Sequence, residues 1–244
     1  MKPFLLLATR AEDRAADDEY DQFLRCGGLD ERDLVRHRLE RDPLGDIDLD
    51  QWSGIVLGGS PYTITDPEHD KTAAQKRVEA EMLGLLDAVV ARDFPFLGAC
   101  YGIGLIGRHV GAVVDRTYPE PVGAATLSLT DAGREDPLFG VLPDVFEAFL
   151  GHKEAIAKLP DHAVRLASSP ACPVQAFRVG RNVYATQFHP ELDVAGIQAR
   201  IDVYRDYGYF DPGEADDLKQ AAARAHVVHP PAIMSRFVEL HADG

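Results

Sequence analysis

The stretch "FPFLGACYG", residues 94–102, is an apolar run that stops at a thiol, with one glycine two places before Cys100 and another two places after it. Residues 94–99 have the character of a buried strand, and 101–110 of a helix with Ile103, Ile106 and Val110 on one face. Cys100 then falls on the sharp turn between them, which is the geometry of a nucleophile elbow. Such a turn strains the nucleophile's backbone and crowds the chain around it, so side chains at positions 98 and 102 are predicted to collide. At a helix N-terminus, unpaired N–H groups and the positive end of the helix dipole favour thiolate over thiol. The N–H of Tyr101 can also point at an oxyanion.

A thiolate needs a base, and the base needs an orienter. Among nine histidines, His189 in "TQFHPELD" is distinctive. It follows a strand pattern, and Pro190 disfavours helix at His189 while fixing its own backbone angle, which predicts an extended segment. In an extended chain, residues i and i+2 project to the same side, roughly 6 to 7 Å apart. Glu191 is thus predicted to hold the imidazole of His189 and leave the other ring nitrogen for Cys100.

Around these residues the chain reads as alternating strand and helix. Pro3–Ala8 is a first buried strand, and "RAEDRAADDEYDQFLR" a solvated loop running into a short helix, its acid cluster a wet face. "DLVRHRLE" is a second strand, and "DQWSGIVLGG" a third that ends in two glycines. The segment 66–93 carries Val78, Met82, Leu85, Leu86 and Val89 at helical spacing and leads into the quoted strand. This order predicts an α/β fold with a mostly parallel sheet covered on both faces, and ligands at the carboxyl ends of its strands. Downstream, "GAATLSLT", "VFEAFLG", "AVRLASS", "PVQAFRVG" and "NVYATQF" read as strands, the last two joined by a hairpin turn at "VGRN". The last fifty residues read as helical. Ile197, Ile201 and Tyr204 share one face, Asp211 caps a helix with Pro212 in its first turn, and Ile233, Phe237 and Leu240 form a final stripe.

Composition narrows the function classes. With 244 residues and 45% hydrophobic content, the chain suits one domain, or one domain with an extension. Forty acidic against 25 basic residues leave a net charge of −15, a field that repels phosphate backbones and anionic lipid, so neither nucleic acid nor a membrane is an expected partner. The first strand is too short for a signal-peptide core, and no run approaches the roughly 18 apolar residues of a membrane span. Cys26, Cys100 and Cys172 are widely spaced and form no disulfide framework, which fits a reducing cytosol. Cys26 and Cys172 read as structural. His226 and His229 in "HVVHPP" lack a neighbouring ligand, and no metal or cofactor is expected.

These residues together resemble the class I (triad) glutamine amidotransferases, in particular free-standing members similar to GMP synthase. "PFLGACYGIGLIG" resembles the family's nucleophile segment, "QFHPEL" its His/Glu segment, and "GIVLGGSPYTITD" its glycine-rich oxyanion loop. The resemblance covers nearly the whole chain. It implies a flavodoxin-like α/β domain over residues 1–192, with a C-terminal helical extension over 193–244 packed on it. It also implies hydrolysis of the side-chain amide of glutamine through a γ-glutamyl thioester. Cys100 would attack the amide carbon, His189 would shuttle the proton, Glu191 would orient His189, and the N–H groups of Gly59 and Tyr101 would hold the oxyanion beside Gly58. "FLGHKEAI" resembles a substrate-binding loop, which makes His152 a candidate pocket residue. Two positions depart from the family pattern. Gly104 stands where glutamine or histidine is usual, and Lys153 where glycine is common, both bearing on substrate binding.

With no synthetase domain in the chain, ammonia would pass to an acceptor enzyme on another polypeptide. A γ-glutamyl hydrolase or peptidase would use the same triad, and a non-catalytic binding module would keep only the fold. A neighbouring cysteine-elbow group carries histidine directly after the nucleophile, where this chain has Tyr101.

Overall fold

A computed structural model describes residues 2–242. In chain order it contains β1 (Phe4–Ala8), α1 (Asp13–Gly27), β2 (Leu34–Arg38), β3 (Gly54–Leu57), α2 (Ala73–Ala91), β4 (Phe96–Ala99), α3 (Tyr101–His109), β5 (Val113–Asp115), β6 (Glu120–Leu129), α4 (Asp131–Arg134), β7 (Val145–His152) and β8 (Ala155–Lys158). It continues with β9 (Ala163–Ser168), β10 (Ala176–Val179), β11 (Val183–Thr186), α5 (Val194–Val203), α6 (Ala215–Arg224) and α7 (Pro231–His241).

Nine strands form one sheet in the order β2-β1-β3-β4-β11-β10-β9-β6-β7. The first five pair in parallel, in the flavodoxin-like order that ligand-binding α/β sheets use. The remaining strands pair antiparallel, so the sheet is mixed. The cause is local: β10 and β11 are joined by three residues, Gly180–Asn182, with Gly180 at φ +60°. So short a connection allows only an antiparallel hairpin.

The parallel strands are buried on both sides, and their alternation sorts side chains into two cores. Leu5, Leu7, Ile55, Leu57 and Phe96 pack with Val78, Met82 and Val89 of α2 and Ile103 and Ile106 of α3. Phe4, Leu6, Val56 and Leu97 pack with Phe23 of α1 and Ile233 and Phe237 of α7. Leu240, expected on the same α7 stripe, is exposed. A third cluster joins Ile197 and Ile201 of α5 and Ala215 and Ala222 of α6 to Phe149 of β7.

Several elements differ from the sequence expectation, among them the unforeseen two-stranded sheet of β5 and β8. Residues 13–27 form a 15-residue helix instead of a loop and a short helix. Its buried stripe is Ala15, Ala16, Glu19, Gln22 and Phe23, a helical spacing hidden by the acids between them. Glu19 therefore belongs to the interior and not to a wet face. Helix α2 starts only at Ala73, where the Thr72 hydroxyl accepts from the Gln75 N–H at 3.1 Å, a side-chain cap that fixes the boundary.

Pairing of Leu7 with Leu57, Leu57 with Gly98, and Ala99 with Thr186 brings the carboxyl ends of β1, β3, β4 and β11 to one edge. Arg10, Gly58, Gly59, Cys100 and His189 all follow those ends.

Candidate active site

Cys100 sits between β4 and α3 with φ +51° and ψ −90°, a conformation that few non-glycine residues adopt. Its N–H donates to the Thr186 carbonyl at 2.8 Å, which ties the elbow to the end of β11. The expected crowding is present on one side. A Cβ on Gly98 would lie 3.0 Å from the Cα of Gly102, whereas a Cβ on Gly102 would meet Leu57 at an ordinary 3.5 Å. Gly98 is the position that the bend cannot enlarge, and Gly102 is the backbone it faces.

His189 is held by its N–H, which donates to the Phe149 carbonyl at 3.0 Å. Its Nδ1 lies 2.8 Å from Glu191 Oε1. The spacing thus delivers the expected pair, but through a turn: the Leu192 N–H donates to the His189 carbonyl at 3.4 Å. Pro190 occupies the second place of that turn, where its fixed φ is favourable. Cys100 and His189 line one pocket together with Arg10, Ser60, Arg200, Tyr204 and Tyr209. Among the described residues the hydrogen-bond partners of the His189 ring are Glu191 and Arg200.

Three further charged side chains converge here. Arg10 Nε donates to Glu19 Oε1 at 2.8 Å, and Arg10 Nη1 donates to the Tyr204 hydroxyl at 3.1 Å. Arg200 Nη2 donates to Glu191 Oε1 at 2.8 Å and, at 3.4 Å, to Glu19 Oε1. Arg10, Glu19, Glu191 and Arg200 are 3%, 0%, 1% and 5% exposed, so the two positive and two negative groups form a buried, charge-balanced set.

This environment works against one expectation. Burial pushes the Cys100 thiol up to about 12, against the pull of Arg10 and Arg200, so that desolvation of sulfur favours the neutral thiol over the thiolate. Burial also lowers His189 below the usual imidazole range; Glu191 raises it, and Arg200 and Arg10 lower it. Burial opposes ionisation of Glu191, yet His189 and Arg200 outweigh it and hold the carboxyl well below the usual range. Alkylation of Cys100 by iodoacetamide in the ligand-free protein should therefore rise about tenfold per pH unit from pH 7 to 10, since the rate tracks the thiolate fraction. A rate already level below pH 8, followed by intact-protein mass spectrometry, would show a preformed thiolate instead.

The family model described as glutamine amidotransferase class-I matches residues 33–198. The chain belongs to the class-I glutamine amidotransferases. It is 34% identical over 167 residues to a glutamine-hydrolysing GMP synthase subunit of Thermoplasma acidophilum, covering 66% of this chain and 75% of that one. It is 30% identical over 150 residues to the GMP synthase of Borreliella burgdorferi, covering 62% of this chain but 26% of that protein. The chain thus spans about a quarter of the length of such GMP synthases. In fold, it matches a glutamine amidotransferase from Thermotoga maritima with a TM-score of 0.78 at 20% identity, covering 100% of both chains. Family membership makes this amidotransferase a cysteine-based amide hydrolase.

The Gly58 N–H is committed to the Leu7 carbonyl at 3.0 Å, and a Cβ there would lie 2.5 Å from Glu19 Oε2. The Gly59 N–H has no hydrogen-bond partner among the described residues. A Cβ on Gly59 would overlap His189 Cε1 and lie 2.7 Å from Arg10 Nη2. The Tyr101 N–H lies in the first turn of α3, where helical N–H groups lack a partner in their own helix. Gly104 faces the Glu154 carboxylate, which a Cβ would approach to 3.0 Å. Glu154 in turn accepts from the N–H groups of Ile64 at 2.9 Å and Thr65 at 2.7 Å. The space that a longer residue at 104 would take is occupied by this loop clamp.

His152 is buried, and its ring turns away from the pocket toward Glu120, with Nε2 2.9 Å from Glu120 Oε2 and Nδ1 2.9 Å from the Glu154 carbonyl. Its neighbour Gly151 lines the pocket instead. Lys153 places Nζ 4.4 Å over the Tyr209 ring and donates to the Tyr207 carbonyl at 3.4 Å. The Tyr209 hydroxyl donates to the Pro61 carbonyl at 3.3 Å. These contacts hold Tyr209 at the pocket, which it lines together with Tyr204 and Phe210.

Arg10, Glu19, Arg200 and Tyr209 were not singled out from the sequence. Arg10 lies two residues past the end of β1, and Glu19 and Arg200 sit on buried helical stripes, beside Ala15 and Ala16 in α1 and beside Ile197 and Ile201 in α5. A charged residue at a core position of such a stripe was the available signal.

Proposed function

We propose that Cys100, His189 and Glu191 hydrolyse the side-chain amide of glutamine or of a related γ-glutamyl compound. The observation that carries this reading is the elbow: Cys100, at φ +51° on top of β4, shares a pocket with the buried His189–Glu191 pair. Sγ would bond to the amide carbon as the thiol proton passes to His189 Nε2. His189 would then give that proton to the departing nitrogen, leaving a γ-glutamyl thioester. Water attack, with His189 again as base, would release glutamate and restore the thiol. The Gly59 and Tyr101 N–H groups are the donors available for the oxyanion.

A second Cys/His/Glu grouping, Cys172, His152 and Glu120, places its ligand-type atoms within 4.8 Å of one another. It does not fit a nucleophilic role. Cys172 is 0% exposed, its Sγ–H donates to the Val174 carbonyl at 3.5 Å, and both nitrogens of His152 face oxygen acceptors.

The Thermoplasma relative, named as part of a GMP synthase, supports an ammonia-accepting synthase in trans as the partner. A γ-glutamyl hydrolase is favoured by a different observation: the pocket walls are largely apolar, built from Val122, Leu150, Leu192, Ile197, Ile201 and Phe210, a surface suited to an N-substituted amide. Because α5 supplies Arg200, and Tyr204, Tyr209 and Phe210 also line the pocket, we read 193–244 as part of the working unit. Free cysteines at 26, 100 and 172 support a cytosolic setting.

The test is release of glutamate and nitrogen product from glutamine, γ-glutamylanilide and γ-glutamyl dipeptides. Hydrolysis of at least one of them, in equal amounts of both products, is expected. No hydrolysis of any, with or without a candidate synthase, would point to the non-catalytic module.

A further inference from the structure

Arg10 is a buried cation with one nitrogen to spare. Its Nε donates to Glu19 Oε1 at 2.8 Å and its Nη1 to the Tyr204 hydroxyl at 3.1 Å, while the guanidinium carbon lies 5.4 Å from the centre of the Tyr204 ring. Those contacts fix the plane of the group. Nη2 has no hydrogen-bond partner among the described residues and is not sealed from solvent, so its N–H groups open onto the pocket that Arg10 lines.

The pocket shows only the positive half of the charged cluster. Arg10 and Arg200 line it, whereas Glu19 and Glu191 do not, and among the described residues no carboxylate takes part in the lining. In a chain of net charge −15, this is a local cationic surface that suits an anion. The Nη nitrogens of Arg200 are engaged with His189 and Glu191, which leaves Arg10 Nη2 as the open donor. The natural partner of such a donor is a carboxylate.

Its position says which carboxylate. A Cβ placed on Gly59 would lie 2.7 Å from Arg10 Nη2 and 3.2 Å from His189 Nε2, so the two nitrogens flank one glycine. Nε2 is the atom that hands a proton to the departing nitrogen, and Nη2 therefore reaches what that nitrogen carries. Tyr204, which holds Arg10, caps the end of α5, and Ile197 and Ile201 of the same helix line the pocket with it.

We propose that Arg10 Nη2 docks a carboxylate on the departing amine, and that the substrates are γ-glutamyl conjugates of apolar α-amino acids. This inference rests on the hydrolysis by Cys100 and His189 proposed above, and it names the amine. An α-amino acid carries its carboxylate and its side chain on the carbon next to its nitrogen, so one amine meets Arg10 and the α5 face together. Sγ bonds to the γ-carbonyl carbon, the C–N bond breaks, and the thiol proton leaves through His189 on the nitrogen of the amino acid. Water then splits the thioester, giving glutamate and the free amino acid. Free glutamine, whose departing nitrogen carries nothing, leaves Nη2 unmatched.

The experiment compares γ-glutamyl-leucine with γ-glutamyl-isopentylamide, which keeps the glutamyl half and the apolar chain and lacks only the second carboxylate. Binding is measured by calorimetry to the Cys100→Ala variant, where nothing turns over, and kcat/KM is measured in the parent. Cys100→Ala should bind γ-glutamyl-leucine about tenfold or more tightly than the amide, the worth of a hydrogen bond to a charged group, and adding Arg10→Met should bring the two within about twofold. In the parent, kcat/KM should favour γ-glutamyl-leucine by a similar ratio. Equal binding of the two compounds, or no binding of γ-glutamyl-leucine, overturns the proposal. So does an equal loss on both compounds in Arg10→Met, which would put Nη2 on the glutamyl half or on the oxyanion. Should Arg10→Met not fold, Arg10→Lys carries the test, because its shorter side chain keeps the charge with Glu19; the ratio should again shrink, and an unchanged ratio overturns the proposal. The expected binding ratio without any turnover in the parent would refute the nucleophile and leave the role of Arg10 standing.

Discussion

Replacement of Cys100 by serine should lower amide hydrolysis by about 10⁴-fold or more, roughly 5 kcal/mol of barrier, while thermal stability stays within a few degrees of the parent. The two side chains have the same shape, so the elbow, with Cys100 N–H bonded to the Thr186 carbonyl, has no reason to move. What changes is the chemistry. A serine hydroxyl in a pocket that already pushes a thiol up to about 12 is a far poorer nucleophile, and the resting His189 is a weakened base. The measurement is steady-state turnover of the best γ-glutamyl substrate with a thermal melt as control. Turnover within about tenfold of the parent would remove Cys100 from the chemistry.

Gly59→Ala should be the next largest loss, about 10² to 10³ in kcat with a smaller change in KM, the range seen when an oxyanion donor is lost. The backbone at Gly59 is not in the left-handed region, so alanine adds no strain of its own. Its methyl would instead overlap His189 Cε1 and press on Arg10 Nη2. The imidazole must then shift relative to Cys100, and Arg10 relative to Glu19. Both effects fall on the reacting centre and spare the apolar walls that grip the rest of the substrate. A variant with parental kcat and raised KM would show that the loop binds substrate without shaping the transition state.

The local sequence made the elbow legible because an apolar strand, a glycine-flanked thiol and a helical stripe are all short-range patterns. The pairing of His189 with Glu191 followed from spacing, although the chain reaches it by the turn that Pro190 allows and not by an extended run. Helix α1 was obscured because its solvent face is crowded with acids, which hid Glu19 on the buried stripe. Arg200 was beyond local reading for another reason. Its partners are Glu19, His189 and Glu191, and Glu19 lies 181 residues away in the chain. Only the packing of α5 beside α1 and the end of β11 brings them together. The thiol's protonation followed the same rule: the helix end is a local feature and favours thiolate, but burial is a tertiary one and outweighs it. His152 had the right neighbours in sequence for a pocket residue, yet its register opposite Glu120 in the β6–β7 ladder turns it inward.

The most direct test of the central claim, that Cys100 is the nucleophile of a γ-glutamyl amide hydrolase, is to incubate the folded protein with a glutamine-mimicking diazo-ketone and map the adduct by mass spectrometry. One adduct per chain on Cys100, with Cys26 and Cys172 unmodified and hydrolysis lost in step, is the expected result. A folded protein whose Cys100 stays unmodified, or whose hydrolysis survives full modification of Cys100, would contradict it.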